Sequence, residues 1–265
     1  MKLNKHLSHH LSAIGRIKFV LDIGFGYPFH LFEIYHKFDA LACIGTDLRE
    51  KDSVVSLSSV ETDIAKFSKI DLTTIAYLID DRDRSIEFYN SYKLYTALVL
   101  GKKPLDVSEF NRNFRLHFER PIQDYILDKK PWIELDVIIA SNVLSHIDPN
   151  SEFNANWVLD KLLSRLSQNG IIYLSLRSED YQPKINHGGL SSTILAPYDS
   201  HRLQTVLSKI DVLHQETVIR EFDGKRSYEI IAKKKDIIAA EPNQSYTNVV
   251  KNDRLQELDT RRNCK

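Results

Sequence analysis

The chain is poor in cysteine, has no long apolar run and carries no net charge, and each of these features argues against a class of protein. Its 265 residues include two cysteines, Cys43 and Cys264, too few for a disulfide framework or a cysteine-rich metal cluster. No stretch approaches the roughly 18 consecutive apolar residues of a membrane helix, and Met1 to Lys18 lacks the apolar core of a secretory signal. We therefore expect a cytoplasmic protein with no membrane partner.

The charges are balanced, because 36 Lys and Arg residues face 36 Asp and Glu residues and the isoelectric point is near 7.2. Such a chain lacks the basic surface that phosphate backbones demand, so we expect no nucleic acid as a general partner. Three histidines near the amino terminus, His6, His9 and His10, do not have the spacing with acids that a metal site needs. We interpret them as part of a solvated helix, and the sequence predicts no metal.

The most informative segment is Phe19 to Gly26, where an apolar run ends in an acid and two glycines separated by one residue. It predicts a buried strand from Ile17 to Ile23 that enters a nucleotide-binding turn, and Pro28 suits the opening of the helix that follows. A second apolar stretch begins at Leu41 and ends in Asp47, about where a ribose-binding carboxylate belongs in a βαβ unit. The pattern therefore predicts a ligand with an adenosine-like ribose.

Strands and helices alternate along the rest of the chain. Further strands are predicted at Phe114 to Glu119, Leu135 to Ala140 and Ile171 to Leu176. Apolar residues from Val158 to Leu166 predict a helix that stops at Asn169-Gly170. After a helix near 201–209, strands at 212–222 and 225–232 flank Asp223-Gly224, a strong hairpin signal. This order predicts an α/β fold with a doubly wound, mostly parallel sheet that finishes with an antiparallel pair.

Residues 51–113 separate strands two and three, far more than a crossover connection needs, and we predict a helical insertion there. Its large aromatic side chains either pack the insertion onto the sheet or form a cap over a ligand, and we favour packing for most of them. They are Phe67, Tyr77, Phe88, Tyr89, Tyr92 and Tyr95. Residues 1–233 are predicted to form one domain that contains this insertion, and residues 234–265 a polar tail.

Together these segments resemble the class I S-adenosylmethionine-dependent methyltransferases, whose seven-stranded sheet ends in a reversed strand from the last hairpin. The resemblance covers about Ile17 to Lys233. Its most specific parts are Leu21 to Gly26 as the family's glycine-rich turn, Asp47 as the acid after strand two, and Leu135 to Ile147 as its fourth motif. It implies S-adenosylmethionine as the methyl donor.

The first turn also favours this donor over a dinucleotide. The third glycine position holds Phe29, and a carboxylate at Asp22 would repel pyrophosphate yet attract an ammonium and a sulfonium charge. The donor-binding residues implied by the resemblance are Asp22, Gly24, Phe25, Gly26, Asp47, Leu48, Glu119, Ser141 and Asn142, with Asp124 as a rival to Glu119 for adenine. Asp47, Ser141 and Asn142 could instead cap the helices that follow them.

Two histidines are candidate bases near neutral pH. His146 follows strand four, and His187 lies in the long connection after strand five. The alternatives are a packing role for His146 and an ordinary loop position for His187. Strand four lacks the Asn-Pro-Pro-aromatic sequence of enzymes that methylate bases or glutamine amides, which counts against those acceptors.

The resemblance thus predicts a methyltransferase that acts on a small molecule. Three alternatives stay open: a methyltransferase-like binding module without catalysis, an enzyme with a protein acceptor and, with the least support, a nicotinamide-dependent dehydrogenase. A homodimer is also left open, because no sequence motif addresses the oligomeric state.

Overall fold

The computed structural model describes residues 3–25, 28–47, 87–117, 120–127, 133–178, 197–219 and 226–235. Helices and strands alternate through these ranges, and we number them in chain order. They are α1 (Lys5–Ser12), β1 (Phe19–Ile23), α2 (Phe29–Phe38), β2 (Ala42–Thr46), α3 (Glu87–Leu94) with a π-helical turn (Tyr95–Val99), α4 (Val107–Asn113), β3 (Phe114–His117), α5 (Ile122–Leu127), β4 (Leu135–Ser141), a 3₁₀ turn (Leu144–His146), α6 (Ala155–Arg165), β5 (Leu166–Arg177), α7 (Ser200–Leu207), β6 (Ile210–Ile219) and β7 (Arg226–Lys234).

The strands form one seven-stranded sheet in the order β3-β2-β1-β4-β5-β7-β6. The first five strands are parallel, and β7 lies antiparallel between β5 and β6. The predicted mostly parallel sheet with a reversed last strand is therefore confirmed. The predicted turn at Asp223-Gly224 lies outside the described residues.

Helices cover both faces of the sheet, so the domain has three layers around two hydrophobic clusters. On one face, α1 to α4 contribute residues such as Leu7, Phe32, Tyr92 and Phe110. On the other face, α5 to α7 bury residues such as Leu159. Parallel strands covered on both faces have continuous apolar sequences, which is why β1 and β4 were recognisable from the sequence.

The helix starts have local causes. The Asn4 carboxamide oxygen accepts hydrogen bonds from the backbone N–H groups of His6 and Leu7 at the start of α1. Asn154 and Asp199 cap α6 and α7 in the same way. Such caps satisfy backbone donors that have no partner within the helix. Among the described residues, no helix is long and apolar enough to cross a membrane.

One predicted boundary was wrong. The helix expected to stop at Asn169-Gly170 ends at Arg165, and β5 begins at Leu166. Leu166 is buried and pairs with Leu135 of β4, ahead of a register irregularity in that pairing. Tertiary burial of Leu166 against the sheet therefore overrides the helical spacing that linked it to Leu162 and Leu163.

The described part of the insertion, α3 to α4, is helical as predicted. Tyr92 and Tyr95 are fully buried, and Tyr95 stacks on Phe29 of α2 with ring centroids 4.2 Å apart. The ring centroid of Tyr92 lies 5.4 Å from that of Phe114 of β3. These rings therefore join the insertion to α2 and to the sheet, as the packing interpretation predicts. The predicted ring residues Phe67 and Tyr77 lie outside the described residues, and the side chain of Phe88 is not described.

Candidate functional site

The ends of three parallel strands meet at one edge of the sheet, which we call the carboxyl edge. Ile23, the last residue of β1, pairs with Thr46 of β2 and with Ala140 of β4. The strand order runs outward in both directions from β1 and β4. Ligands of open α/β sheets bind at such a switch point, beyond the carboxyl ends of the strands. The residues that follow β1, β2 and β4 therefore define the candidate site.

Gly24 makes the turn after β1 in a conformation that other residues rarely adopt, with φ +62°. Its N–H donates to the Thr46 carbonyl at 2.7 Å, which ties the turn to β2. A Cβ atom at this position would lie 3.1 Å from Cβ and Cγ2 of Val143. Glycine is required here both for the left-handed conformation and for the close approach of the loop after β4.

Phe25, one of the donor-binding residues that the resemblance implies, packs its side chain on the sheet. Its ring is buried and lies against Gly45 of β2, where an added Cβ would come 2.7 Å from Cδ1 of the ring. Leu116 of β3 closes the same space. The side chain of Phe25 thus anchors the turn to the sheet.

Asp22 is buried immediately before this turn, with 1% of its surface exposed. Neither carboxylate oxygen has a hydrogen-bond partner among the described residues, and His30 Nδ1, on the first turn of α2, is 3.8 Å from Oδ2. Burial raises the pKa of Asp22, His30 opposes that rise, and the charge of Asp47 adds to it. Ionised, this carboxylate favours a cation beside it.

Asp47 follows β2 and is also buried. Its backbone N–H donates to the His117 carbonyl of β3 at 2.9 Å, and its carbonyl accepts from the Arg120 N–H at 3.1 Å. The loop after β3 therefore returns to Asp47. Asp124, the rival adenine contact, lies in the first turn of α5, which follows that loop.

Ser141 and Asn142 lie at the end of β4 and are half-buried. Asn142 has a left-handed backbone with φ +63°, and its N–H donates to the Ser175 carbonyl of β5 at 2.7 Å. The Asn142 carboxamide lies 3.4 Å from each of the hydroxyls of Ser141 and Ser175. These three polar side chains form a group at the ends of β4 and β5, and Asn142 does not cap a helix.

His146 ends the 3₁₀ turn after β4, and its N–H donates to the Val143 carbonyl at 2.9 Å. It is half-buried near the end of β4. This position is compatible with the catalytic interpretation and with the packing interpretation. Four other residues predicted for the site, Gly26, Leu48, Glu119 and His187, lie outside the described residues.

Sequence reasoning missed two residues at this edge. His30 was overlooked because it sits in an apolar helical segment, although its position just after the glycine turn was a usable signal. Tyr198 follows the long connection after β5, and its N–H donates to the Arg177 carbonyl at 2.8 Å. Burial raises the pKa of Tyr198 to about 12, partly offset by Arg202, so its phenol is neutral at physiological pH.

No family model and no curated protein matches the sequence, but solved structures match the fold. One is a SAM-dependent methyltransferase from Methanosarcina mazei, with a TM-score of 0.54 and 10% identity over 88% of this chain and 99% of that one. Another is TehB from Haemophilus influenzae, with a TM-score of 0.51 and 11% identity over 88% of this chain and 63% of that one. At such identity the likeness is one of fold.

Proposed function

We propose that this chain, whose fold is that of the class I S-adenosylmethionine-dependent methyltransferases, binds S-adenosylmethionine at the carboxyl edge and methylates a small molecule. The observation that carries the proposal is Asp22, a buried carboxylate without a hydrogen-bond partner among the described residues, placed directly before the Gly24 turn. A cationic ligand at this turn would place a positive charge beside the Asp22 carboxylate and favour its ionised form.

The residues at the edge fit this donor. Gly24 leaves space at the turn where a Cβ would lie 3.1 Å from Val143, so that the methionine part of the donor can approach the backbone there. Asp47 directly follows β2, where its carboxylate can accept hydrogen bonds from both hydroxyls of a ribose. When bound, S-adenosylmethionine supplies a methyl group on a positively charged sulfur, with a neutral thioether as the leaving group.

The remaining tasks of the protein are to orient an acceptor, exclude water and receive a proton. Ser141 and Asn142 offer a hydroxyl and an amide group to an acceptor beside the donor, and the buried Ser175 hydroxyl donates to the Asn142 carboxamide oxygen. His146 is the base that we propose from the described residues. It lies in the loop after β4, and a histidine titrates close to neutral pH.

The balanced charge of the chain supports a small molecule over nucleic acid as the acceptor. A protein acceptor and a binding module without catalysis are the competing functions. Both share the donor site, so donor binding is tested first and transfer second.

Titration calorimetry with S-adenosylhomocysteine tests the donor site. We expect binding by the wild-type chain, no binding of NADH, and weaker binding by Asp47→Ala without loss of folding. Asp211→Ala, an exposed aspartate on β6, is the matched control and should bind like the wild type. Unchanged affinity of Asp47→Ala would remove Asp47 from the site, and absence of S-adenosylhomocysteine binding by the wild type would refute the proposal.

Incubation with methyl-labelled donor then separates the functions. Label that appears in low-molecular-weight products of a metabolite extract supports the small-molecule enzyme. Label in protein points to a protein acceptor. Donor binding with no labelled product in any extract would identify a binding module.

A further inference from the structure

We propose that His6, His214 and Glu216 form a binding site for a divalent transition-metal ion of the zinc class, separate from the donor site. One ligand atom from each of the three side chains lies within 4.8 Å of the other two. The three side chains are half-buried. The proposal does not depend on methyl transfer.

The fold brings these residues together from distant parts of the sequence. Helix α1 packs on the sheet through Leu7 and Leu11, both fully buried, and this places His6 above β6. His214 and Glu216 are two residues apart on that strand and therefore point to the same face. A β-bulge sets that face, because Val212 pairs with Ala232 while His214 pairs with Ile231.

The bulge decides the orientation of both ligands. In an unbroken register, His214 would pair with Ile230, which belongs to the hydrophobic cluster on the opposite face. With the extra residue, it pairs with Ile231, which lies in the cluster that α1 covers. Bulges commonly re-aim side chains in this way at functional positions. Without it, His214 and Glu216 would face away from His6.

Two facing carboxylates beside the cluster favour a cation. Glu216 lies directly opposite Glu229 of β7, and like charges facing each other across a strand pair are unfavourable. The described donor between them is the neutral Asn4 amide, 2.5 Å from Glu229 and 3.4 Å from Glu216. This amide satisfies hydrogen-bonding capacity but neutralises neither charge. A dication at Glu216 would relieve the repulsion.

The His214 imidazole has a ring nitrogen available to bind a metal ion. His214 Nε2 is buried with no hydrogen-bond partner among the described residues and lies 3.5 Å from a Glu216 oxygen. The His6 ring stacks on His214 with centroids 3.9 Å apart and planes inclined by 16°. A nitrogen lone pair lies in the plane of its ring, so two nearly parallel rings cannot both direct a lone pair at one ion. The half-buried His6 must therefore turn to bind the ion together with His214.

The donor set determines the class of metal. Two imidazole nitrogens and one carboxylate suit Zn²⁺, Co²⁺ or Ni²⁺, whereas Mg²⁺ and Ca²⁺ prefer oxygen ligands. Three protein ligands leave a fourth tetrahedral position for water. Bound there, the ion would fasten α1 to the outermost strand of the sheet. The histidine spacing near the amino terminus could not reveal this site, because two of its ligands are on β6.

The test uses the untagged full-length chain after treatment with a chelator, titrated with Zn²⁺ by calorimetry. We expect one bound ion and a higher thermal unfolding midpoint. Glu216→Gln keeps the shape of the side chain and should lose at least roughly tenfold in affinity, as loss of even an outer-shell partner does. His214→Ala should lose as much. His9→Ala, an exposed neighbour on α1, is the control and should bind like the wild type.

Substitution with Co²⁺ identifies the ligands. Visible d–d bands without a thiolate-to-cobalt charge-transfer band support a histidine and carboxylate site. A thiolate band, equal affinity of Glu216→Gln and the wild type, or no binding of Zn²⁺ by the wild type would each overturn the proposal. If His214→Ala fails to fold, His6→Gln is measured in its place. His6 is only half-buried on a short helix, so we expect this variant to fold.

Discussion

At the scale of the residue, Asp22 combines a cost in stability with a proposed gain in ligand binding. Burial raises its pKa, so ionisation in the folded state is unfavourable. A raised carboxyl pKa means that the native state binds more protons than the unfolded state between the two pKa values. Ionisation of Asp22 therefore costs no stability below the pKa of the unfolded state and its full amount above the pKa of the folded state.

We predict that Asp22→Asn is more stable than the wild type at neutral pH and binds S-adenosylhomocysteine more weakly. The gain in the free energy of unfolding should shrink as the pH is lowered through the pKa of Asp22 in the folded state. The wild-type carboxyl group then becomes protonated and, like the Asn amide, carries no charge. Thermal unfolding from acid to neutral pH measures the first effect and calorimetry the second. A variant that is less stable at neutral pH would show that an ionised Asp22 stabilises the fold.

Gly24 allows strain and contact to be separated. Both Gly24 and Gly101 have φ +62°, but a Cβ at Gly101 would meet nothing within 4 Å, whereas one at Gly24 would lie 3.1 Å from Val143. The left-handed backbone alone costs about 1–2 kcal/mol for a residue with a side chain. We predict that Gly24→Ala loses more stability in urea than Gly101→Ala, and that it alone weakens donor binding. Equal losses would mean that the Val143 contact is easily relieved.

At the scale of the element, Glu33 of α2 joins three parts of the chain. Its buried carboxylate accepts hydrogen bonds from the Leu3 N–H at 3.1 Å, the Tyr95 hydroxyl at 2.6 Å and Lys37 Nζ at 2.6 Å. Burial raises the pKa of Glu33, but these hydrogen bonds and the Lys37 charge outweigh burial and lower it. The ionised form therefore holds the segment before α1 and the insertion against α2.

We predict that Glu33→Gln lowers the free energy of unfolding at neutral pH by about 1.5–3 kcal/mol, the usual contribution of a hydrogen bond to a charged group. A carboxyl group whose pKa is lowered by folding stabilises the native state above the pKa of the unfolded state. This stabilisation is lost as the pH falls through the pKa of the folded state. The difference from the wild type should therefore narrow in acid. Urea unfolding across pH measures it, and Tyr95→Phe, which removes one hydroxyl, should cost less. A difference that does not depend on pH would exclude the charge as its cause.

At the scale of the whole molecule, the last strand that the structure describes is an interior strand of the sheet. β7 pairs with both β5 and β6, so β6 joins the sheet only through residues 226–234. We predict that a chain ending at Lys235 folds and binds S-adenosylhomocysteine with unchanged affinity. A chain ending at Ile219 should not fold. Circular dichroism and calorimetry test both, and loss of binding by the longer chain would assign the tail to the site.

The order of the described elements, the glycine turn, the acid near the end of β1 and the acid after β2 were determined by the sequence. These features depend on short-range causes: apolar runs buried on both faces of a parallel sheet, a helix period, and glycine at a turn that a side chain would block. The ends of β1, β2 and β4 were predicted to within two residues for the same reason, whereas β5 begins five residues before its predicted start. Asp22 could be singled out because it interrupts an apolar run directly before two glycines.

Other properties were decided only in the tertiary structure, because they depend on residues far apart in the chain. The Phe25 ring packs against Gly45 of the neighbouring strand, and Leu166 belongs to β5 because it is buried beside Leu135. His6 meets Glu216 through helix packing and a bulge that shifts the pairing by one residue. A strand's side chains change faces with each such shift, and no local pattern records where the shift occurs.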